Sequence, residues 1–217
     1  MILTNYILKI QFKQFVLTSR NSQNLGTVKS KKMQTLILFS SRYGQTKKIA
    51  YYISRVLQEK VECCTQNIEN ISDINFLQYD RVLIGASIYY GNFHPLLERF
   101  INKNYNALNQ AISGFFSVNL VARKPEQCTP ETNPYTRKFL LRSLWKPDCC
   151  AVFAGALRYP SYSCFNRLMI KIIMHMTQGE TDSSKPLIEY TNWQQVEYFA
   201  SNFLNLKKLF GKNYVRI

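Results

Sequence analysis

Residues 35–53, TLILFSSRYGQTKKIAYYI, hold the feature that constrains this chain most: an apolar run stops at a hydroxyl-rich turn containing glycine and then resumes with helical spacing. Thr35 to Phe39 reads as a buried strand, and Ile49, Ile53, Val56 and Leu57 recur at the interval of one helix face. Between them, residues 40–46 (SSRYGQT) supply hydroxyls at Ser40, Ser41 and Thr46, a tight backbone at Gly44 and the open N–H groups of the helix that follows. Such a turn suits an anion. It contains neither GxGxxG nor the Walker A pattern, so a dinucleotide fingerprint and a P-loop are both excluded, and a monophosphate such as that of FMN becomes the leading ligand. The same residues also suit an ordinary strand-to-helix turn capped by serine. The rest of the chain has to decide.

From Met33 onward the pattern alternates strand and helix. It predicts strands at 35–39, 60–65, 80–86, 112–118 and 149–157, with helices near 46–58, 95–107, 135–145 and 192–206. Pro95 fits a first helical turn, and Thr191 with Gln194 reads as a capping box before the last helix. This alternation predicts an α/β fold with one parallel sheet covered by helices on both faces. If the strand order is 2-1-3-4-5, a ligand sits beyond the carboxyl ends of strands 1, 3 and 4. The loop after strand 3, residues 87–95, sets Tyr89, Tyr90 and Phe93 beside Gly91, aromatic faces suited to a flat heteroaromatic ring or to packing under the loop. The loop after strand 4 runs from Ser117 to Pro134 with three prolines, a length that is commonly functional.

With 217 residues and 46% hydrophobic content, the chain can bury one sizeable core. Its net charge of +15 is unevenly placed: residues 1–32 carry six lysines and arginines and no acid, and nine more between 120 and 178 face only three acids. That balance favours anionic partners, whether acidic lipid, nucleic acid or a carboxylated small molecule. Six cysteines form two adjacent pairs, Cys63–Cys64 and Cys149–Cys150, plus Cys128 and Cys164, with no CxxC; buried, reduced thiols are the expected reading. Only His94 and His175 are available as imidazole ligands, and no metal site is expected. Residues 1–32 hold no run long enough to span a membrane, leaving a basic targeting arm, a peripheral anchor or a dispensable extension before Met33.

Residues 158–182 exceed what a minimal five-stranded fold needs. Within them Arg167, Lys171 and His175 are spaced i, i+4, i+8, so a helix would gather them in one stripe beside Phe165, Leu168, Met169, Ile172, Ile173 and Met176. The apolar run is too short to cross a bilayer, which takes ~20 residues, and suits either the membrane interface or an ordinary packed helix.

Taken together, LILFSSRYGQT (36–46), YDRVLIGASIYYGNFH (79–94), FFSVNLVARKPEQCTPETNPYTRKFL (115–140) and CAVFAGALRYP (150–160) closely resemble the flavodoxin-like, quinone-dependent protoporphyrinogen IX dehydrogenases. The similarity extends through NRLMIKIIMHMTQGETD and TNWQQV, and so spans about residues 33–205. It implies a flavodoxin-like five-stranded parallel sheet with an insertion after strand 5, FMN as cofactor, and protoporphyrinogen IX as substrate in haem synthesis. It also implies menaquinone or ubiquinone as acceptor, peripheral attachment to the cytoplasmic face of the inner membrane, and no nucleic acid.

By this resemblance Ser41, Arg42, Tyr43, Gly44, Gln45 and Thr46 form the phosphate loop. Ser87, Tyr89, Tyr90 and Gly91 on one side, and Ser117, Val118, Asn119 and Leu120 on the other, hold the flavin ring. The basic residues of 123–146, Arg123 and Lys124 foremost, and Arg158 are the expected partners of the substrate propionates, and residues 164–176, with Phe165, Arg167, Met169, Lys171, Ile172 and Ile173, are expected to meet membrane or quinone. The family often carries an acid where Tyr43 stands and an arginine where Tyr89 stands; Tyr43 is expected to face solvent, whereas the change at Tyr89 removes a cation beside the flavin. Residues 1–32 are expected to lie outside the catalytic fold, 33–208 to form it, and 209–217 to be a tail. His94, next to Pro95, is expected to cap a helix, and no general base is assigned. Competing readings are an electron-carrying flavodoxin, an NAD(P)H:quinone reductase and a basic non-catalytic module for nucleic acid or membrane.

Overall fold

The computed structural model describes residues 32–157 and 187–207. Five strands, β1 (Gln34–Ser40), β2 (Glu62–Asn67), β3 (Arg81–Ser87), β4 (Ile112–Asn119) and β5 (Cys149–Ala154), form one sheet in the order β2-β1-β3-β4-β5. Every pairing in it is parallel. Among the described residues four α-helices accompany it: α1 (Gln45–Gln58), α2 (Pro95–Gln110), α3 (Pro134–Arg142) and α4 (Trp193–Asn205). The α/β architecture and strand order expected from the sequence are the ones observed.

Successive side chains of a strand point to opposite faces, and each face here has its own helices. Ile37, Phe39, Leu83, Phe116 and Phe153 bury against Ile49, Ile53 and Leu57 of α1 and Val196, Phe199 and Phe203 of α4. Leu36, Leu38, Val82, Ile84 and Phe115 bury against Leu97, Ile101 and Leu108 of α2 and Phe139 of α3. Each such side chain stabilises the fold by about 1.5–3 kcal/mol. The adjacent cysteines follow the same alternation: Cys63 and Cys149 pack toward the first core, Cys64 and Cys150 toward the second. None of the five described cysteines is in a disulfide, all are partly buried, and burial pushes the Cys150 thiol far above its ordinary value. Cys164 lies outside the described residues.

Three local expectations are corrected. The fifth strand ends at Ala154 rather than 157, because β4 stops at Asn119, whose carbonyl accepts from Gly155 N (3.1 Å) and closes the ladder. Ala156–Leu157 (β6) then pairs antiparallel with Ile188–Glu189 (β7) in a separate two-stranded ribbon. The helix expected at 135–145 stops at Arg142, since Trp145 leaves it to become fully buried and donates Nε1–H to Ser113 Oγ (2.9 Å). The cap of α4 is Asn192, which accepts from Gln195 N (3.1 Å), and not Thr191. Thr191 instead donates to the Ala154 carbonyl (2.7 Å).

Candidate functional site

At the carboxyl ends of β1, β3 and β4 lies a cleft of about 210 Å³. Its first wall is the turn between β1 and α1. Gly44 adopts φ +87°, a left-handed backbone that a side chain would strain, and Ser41 Oγ accepts from Gly44 N (3.1 Å) and Lys47 N (3.3 Å) to hold the turn closed. Gly44 gives α1 no side-chain cap, and the first turn contains no acid. Apart from the Lys47 amide taken by Ser41, the helix presents its N-terminal amides and positive dipole end toward the cleft, the arrangement that receives an anion. Thr46 is fully buried, and its Oγ1 has no hydrogen-bond partner among the described residues. A buried hydroxyl without a partner costs about 1–3 kcal/mol, which a ligand oxygen would recover. These residues fit a phosphate.

Gln45 lines the cleft, and its side chain also braces the turn. Its Nε2 donates to Glu189 Oε1 (2.8 Å) and Thr191 Oγ1 (2.9 Å), joining the loop to the β7–α4 connection. Lys48 adds an ion pair with Glu189 (2.9 Å) and lies 4.9 Å from the centre of the Trp193 ring. Burial alone would raise the Glu189 carboxyl, but the hydrogen bonds from Lys48 and Gln45, with the lysine charge, outweigh it and hold the carboxyl below its ordinary value. This contribution to stability is present above the ordinary pKa of 4.5 and is lost as pH falls through the lower folded-state value. Glu189→Gln is thus expected to lower the urea midpoint at pH 7 and to converge on wild type in acid, once pH has fallen below the folded-state value. A difference between the two that does not change with pH would rule this linkage out.

The second wall is the β3–α2 loop. Tyr89 and Asn92 exchange backbone hydrogen bonds (2.9 and 3.2 Å) across a two-residue turn in which Tyr90 (φ +49°) and Gly91 (φ +78°) are both left-handed. Glycine adopts that region freely. For Tyr90 it costs roughly 1–2 kcal/mol, and such strain in a loop lining a cleft is a mark of a working site. Tyr90 is more than half exposed, and its ring centre lies 4.3 Å from that of Tyr89. A hydrogen bond with the Tyr89 hydroxyl, then partial burial, raises its phenol above the ordinary value. Phe93 belongs instead to the core, packed on Phe115 and Phe139.

Tyr43, expected to face solvent, is partly buried. It lines the cleft, packs with Leu120, Leu157 and Ile188, and meets Tyr89 edge to face at 6.0 Å. The two positions that depart from the family pattern therefore touch each other. A cation does stand beside Tyr89, the Arg42 guanidinium lying 4.8 Å from the centre of its ring.

Val118, Asn119 and Leu120 form the third wall. Asn119 is held by a buried network. Asn133 Nδ2 donates to Asn119 Oδ1 (3.1 Å), which also accepts from Ala122 N (3.0 Å), while Asn133 Oδ1 caps α3 at Thr136 N (3.2 Å). Ser117, expected at the cofactor, is fully buried with its hydroxyl 2.6 Å from Thr136 Oγ1, and it does not line the cleft. Its place on the strand points it toward α3 and away from the opening. Ser87 lines the cleft, and its Oγ accepts from Arg42 N (3.4 Å).

Of the expected carboxylate partners, Arg123 donates from Nη1 to the Leu120 carbonyl (2.9 Å), and neither it nor Lys124 lines the cleft. Arg158 and the six expected membrane contacts lie outside the described residues. His94 caps α2 through Nδ1, which accepts from Leu96 N (3.3 Å). Sequence reasoning missed Tyr135, Gly155 and Ala156 as lining residues and Asn133, Thr136 and Glu189 as supports. Asn133 before Pro134 was the one local sign, since an asparagine preceding an N1 proline is a helix cap.

The family profile described as a flavodoxin domain matches residues 36–184. The protoporphyrinogen IX dehydrogenase [quinone] of Escherichia coli K12 is 51% identical over 80% of this chain and 96% of its own length. The protein of that name from Leishmania major is 44% identical over 82% of this chain and 77% of its own. Oxidised flavodoxin 1 of Bacillus cereus is a similar solved structure, with a TM-score of 0.46 at 14% identity over 80% of this chain and 99% of that one. On its domain match and its identity to these relatives, the chain belongs to the flavodoxin-domain family and, within it, to the quinone-dependent protoporphyrinogen IX dehydrogenases.

Proposed function

We propose that this chain binds FMN in the cleft and oxidises protoporphyrinogen IX to protoporphyrin IX, passing the electrons to a quinone. The observation that carries the reading is 51% identity across 96% of a relative bearing that name, joined to a phosphate-ready turn facing an aromatic wall. When bound, FMN supplies two-electron acceptor chemistry, and removal of six electrons requires three rounds of it.

The chain's own residues position the reactants. The α1 amides and the Thr46 hydroxyl hold the phosphate, and Gln45, tied to Glu189 and Thr191, keeps that turn rigid. Tyr89 and Tyr90 offer ring faces on one side, and Val118 to Leu120 offer backbone and apolar surface on the other. Arg42, held over Tyr89 on the cleft wall, would offer a positive charge to a bound flavin, whose two-electron chemistry builds up negative charge. His94 is committed to capping α2 and is assigned no proton transfer.

The assay is anaerobic conversion of protoporphyrinogen to fluorescent protoporphyrin with menaquinone or ubiquinone as acceptor, because air oxidises the substrate unaided. Turnover that depends on added FMN and quinone is expected. Faster reduction of the bound flavin by NADPH than by protoporphyrinogen would instead mark an NAD(P)H:quinone reductase.

Peripheral attachment to the cytoplasmic face of the inner membrane belongs to the same proposal, as does a catalytic fold beginning at Met33 without residues 1–32. The basic, apolar pattern of 158–182 supports membrane contact. Leu157 and Ile188 pair in the β6–β7 ribbon, whose Ala156 lines the cleft. Ile172→Asp with Ile173→Asp is expected to shift the protein from sedimenting with anionic vesicles to the supernatant with its flavin spectrum intact. Unchanged sedimentation would show that other residues make the contact.

A further inference from the structure

A second groove, of about 130 Å³, runs between α2 and α3 and shares Gly91 and Tyr135 with the walls of the cleft. On α3, Tyr135, Lys138 and Arg142 stand at i, i+3 and i+7, one face of the helix, and all three line this groove over an apolar floor that includes Phe139. Neither Lys138 nor Arg142 has an ion pair or hydrogen bond among the described residues. Glu98 of α2 lines the opposite side, so two cations face one carboxylate and the groove retains attraction for a dianion.

We propose that this groove, and not the Arg123–Lys124 turn, binds the paired carboxylates of the tetrapyrrole substrate; the inference rests on the functional reading above. Side chains four residues apart on a helix stand about 6 Å from one another, within reach of two propionate arms carried side by side on neighbouring pyrroles. Arg142 offers a planar fork to one carboxylate and Lys138 a point charge to the other. Tyr135 and Gly91 form the shared boundary, so a macrocycle anchored by its acid edge in the groove extends its opposite edge into the cleft. Arg123 is already engaged with the Leu120 carbonyl.

The test is a fluorescence titration of the FMN-loaded protein with protoporphyrin IX and with its dimethyl ester, using wild type, Lys138→Ala, Arg142→Ala, the double variant and the conservative Lys138→Arg. Each alanine variant is expected to weaken diacid binding ~10-fold, and the double variant more than either, as loss of charge-assisted hydrogen bonds predicts. Ester binding, flavin spectrum and melting temperature are expected to stay at wild-type values, and Lys138→Arg to restore most of the affinity. Unchanged diacid binding in the double variant overturns the proposal. Equal weakening of diacid and ester also overturns it, because the groove would then act only through shape or stability. Loss of binding to phosphatidylglycerol vesicles with diacid binding intact would reassign the cations to lipid. In the turnover assay, a wild type that fails to oxidise protoporphyrinogen sinks the functional reading. A wild type that does so, with an unchanged substrate KM in the double variant, sinks the groove.

Discussion

Thr46→Val is expected to weaken FMN binding about 10- to 100-fold while leaving the unliganded protein as stable as wild type or more so. The two effects have opposite signs for one reason. Valine keeps the shape of threonine but removes a hydroxyl that is fully buried and without a partner among the described residues. In the unliganded fold that hydroxyl is a desolvation cost; beside a phosphate it becomes a charge-assisted donor. Riboflavin, which lacks the phosphate, should bind wild type and variant alike. Flavin fluorescence titrations with both ligands, together with a thermal melt of the apo-protein, check each part. Equal loss of FMN and riboflavin affinity would place Thr46 in the structure of the turn and not at the phosphate.

Arg81→Met should destabilise the fold by about 3 kcal/mol, lowering the melting temperature by roughly 10 °C for a chain of this size. Arg81 opens β3 and is almost completely buried. Its Nη1 donates to the Phe203 carbonyl (2.9 Å) and its Nη2 to the Leu206 carbonyl (2.7 Å), closing the open C-terminal end of α4. Burial draws the guanidinium pKa down, opposed by the charge of Asp80, and the group remains a cation suited to the negative end of the helix dipole. Methionine fills the stem's volume and leaves the buried Phe203 carbonyl and the part-buried Leu206 carbonyl without that donor. A shift below about 3 °C in a calorimetric melt would mean that water replaces the guanidinium at little cost.

These two residues differ in how visible they were beforehand. Thr46 stood out because a strand, a hydroxyl-rich turn and a helix follow one another within twenty residues, and contacts between near neighbours are written in local spacing. Arg81 gave no sign, since its partners lie 122 and 125 positions away. The sheet order was legible because near-continuous apolar strands alternating with amphipathic helices leave few ways to cover both faces. Element ends were less so. Whether α3 continues past Arg142 is decided by Trp145 finding Ser113 across the second core, and whether β5 continues past Ala154 by where β4 ends. Tyr43 shows the same limit, since what turns it inward is Tyr89 on another loop and a cluster with Leu157 and Ile188.

By itself, then, the sequence determined the alternating α/β fold, the anion-ready turn at 40–46 and the aromatic loop at 87–91, because propensity, periodicity and turn chemistry act over a few residues. Only the tertiary structure decided that the Ser117 hydroxyl joins a buried network and does not line the cleft, that Gln45 and Glu189 bind the turn to a strand 144 residues away, and that Lys138 and Arg142 line a groove sharing Gly91 and Tyr135 with the cleft wall. Those assignments depend on which distant surfaces meet when the sheet is covered on both faces, and no local pattern in the chain carries that information.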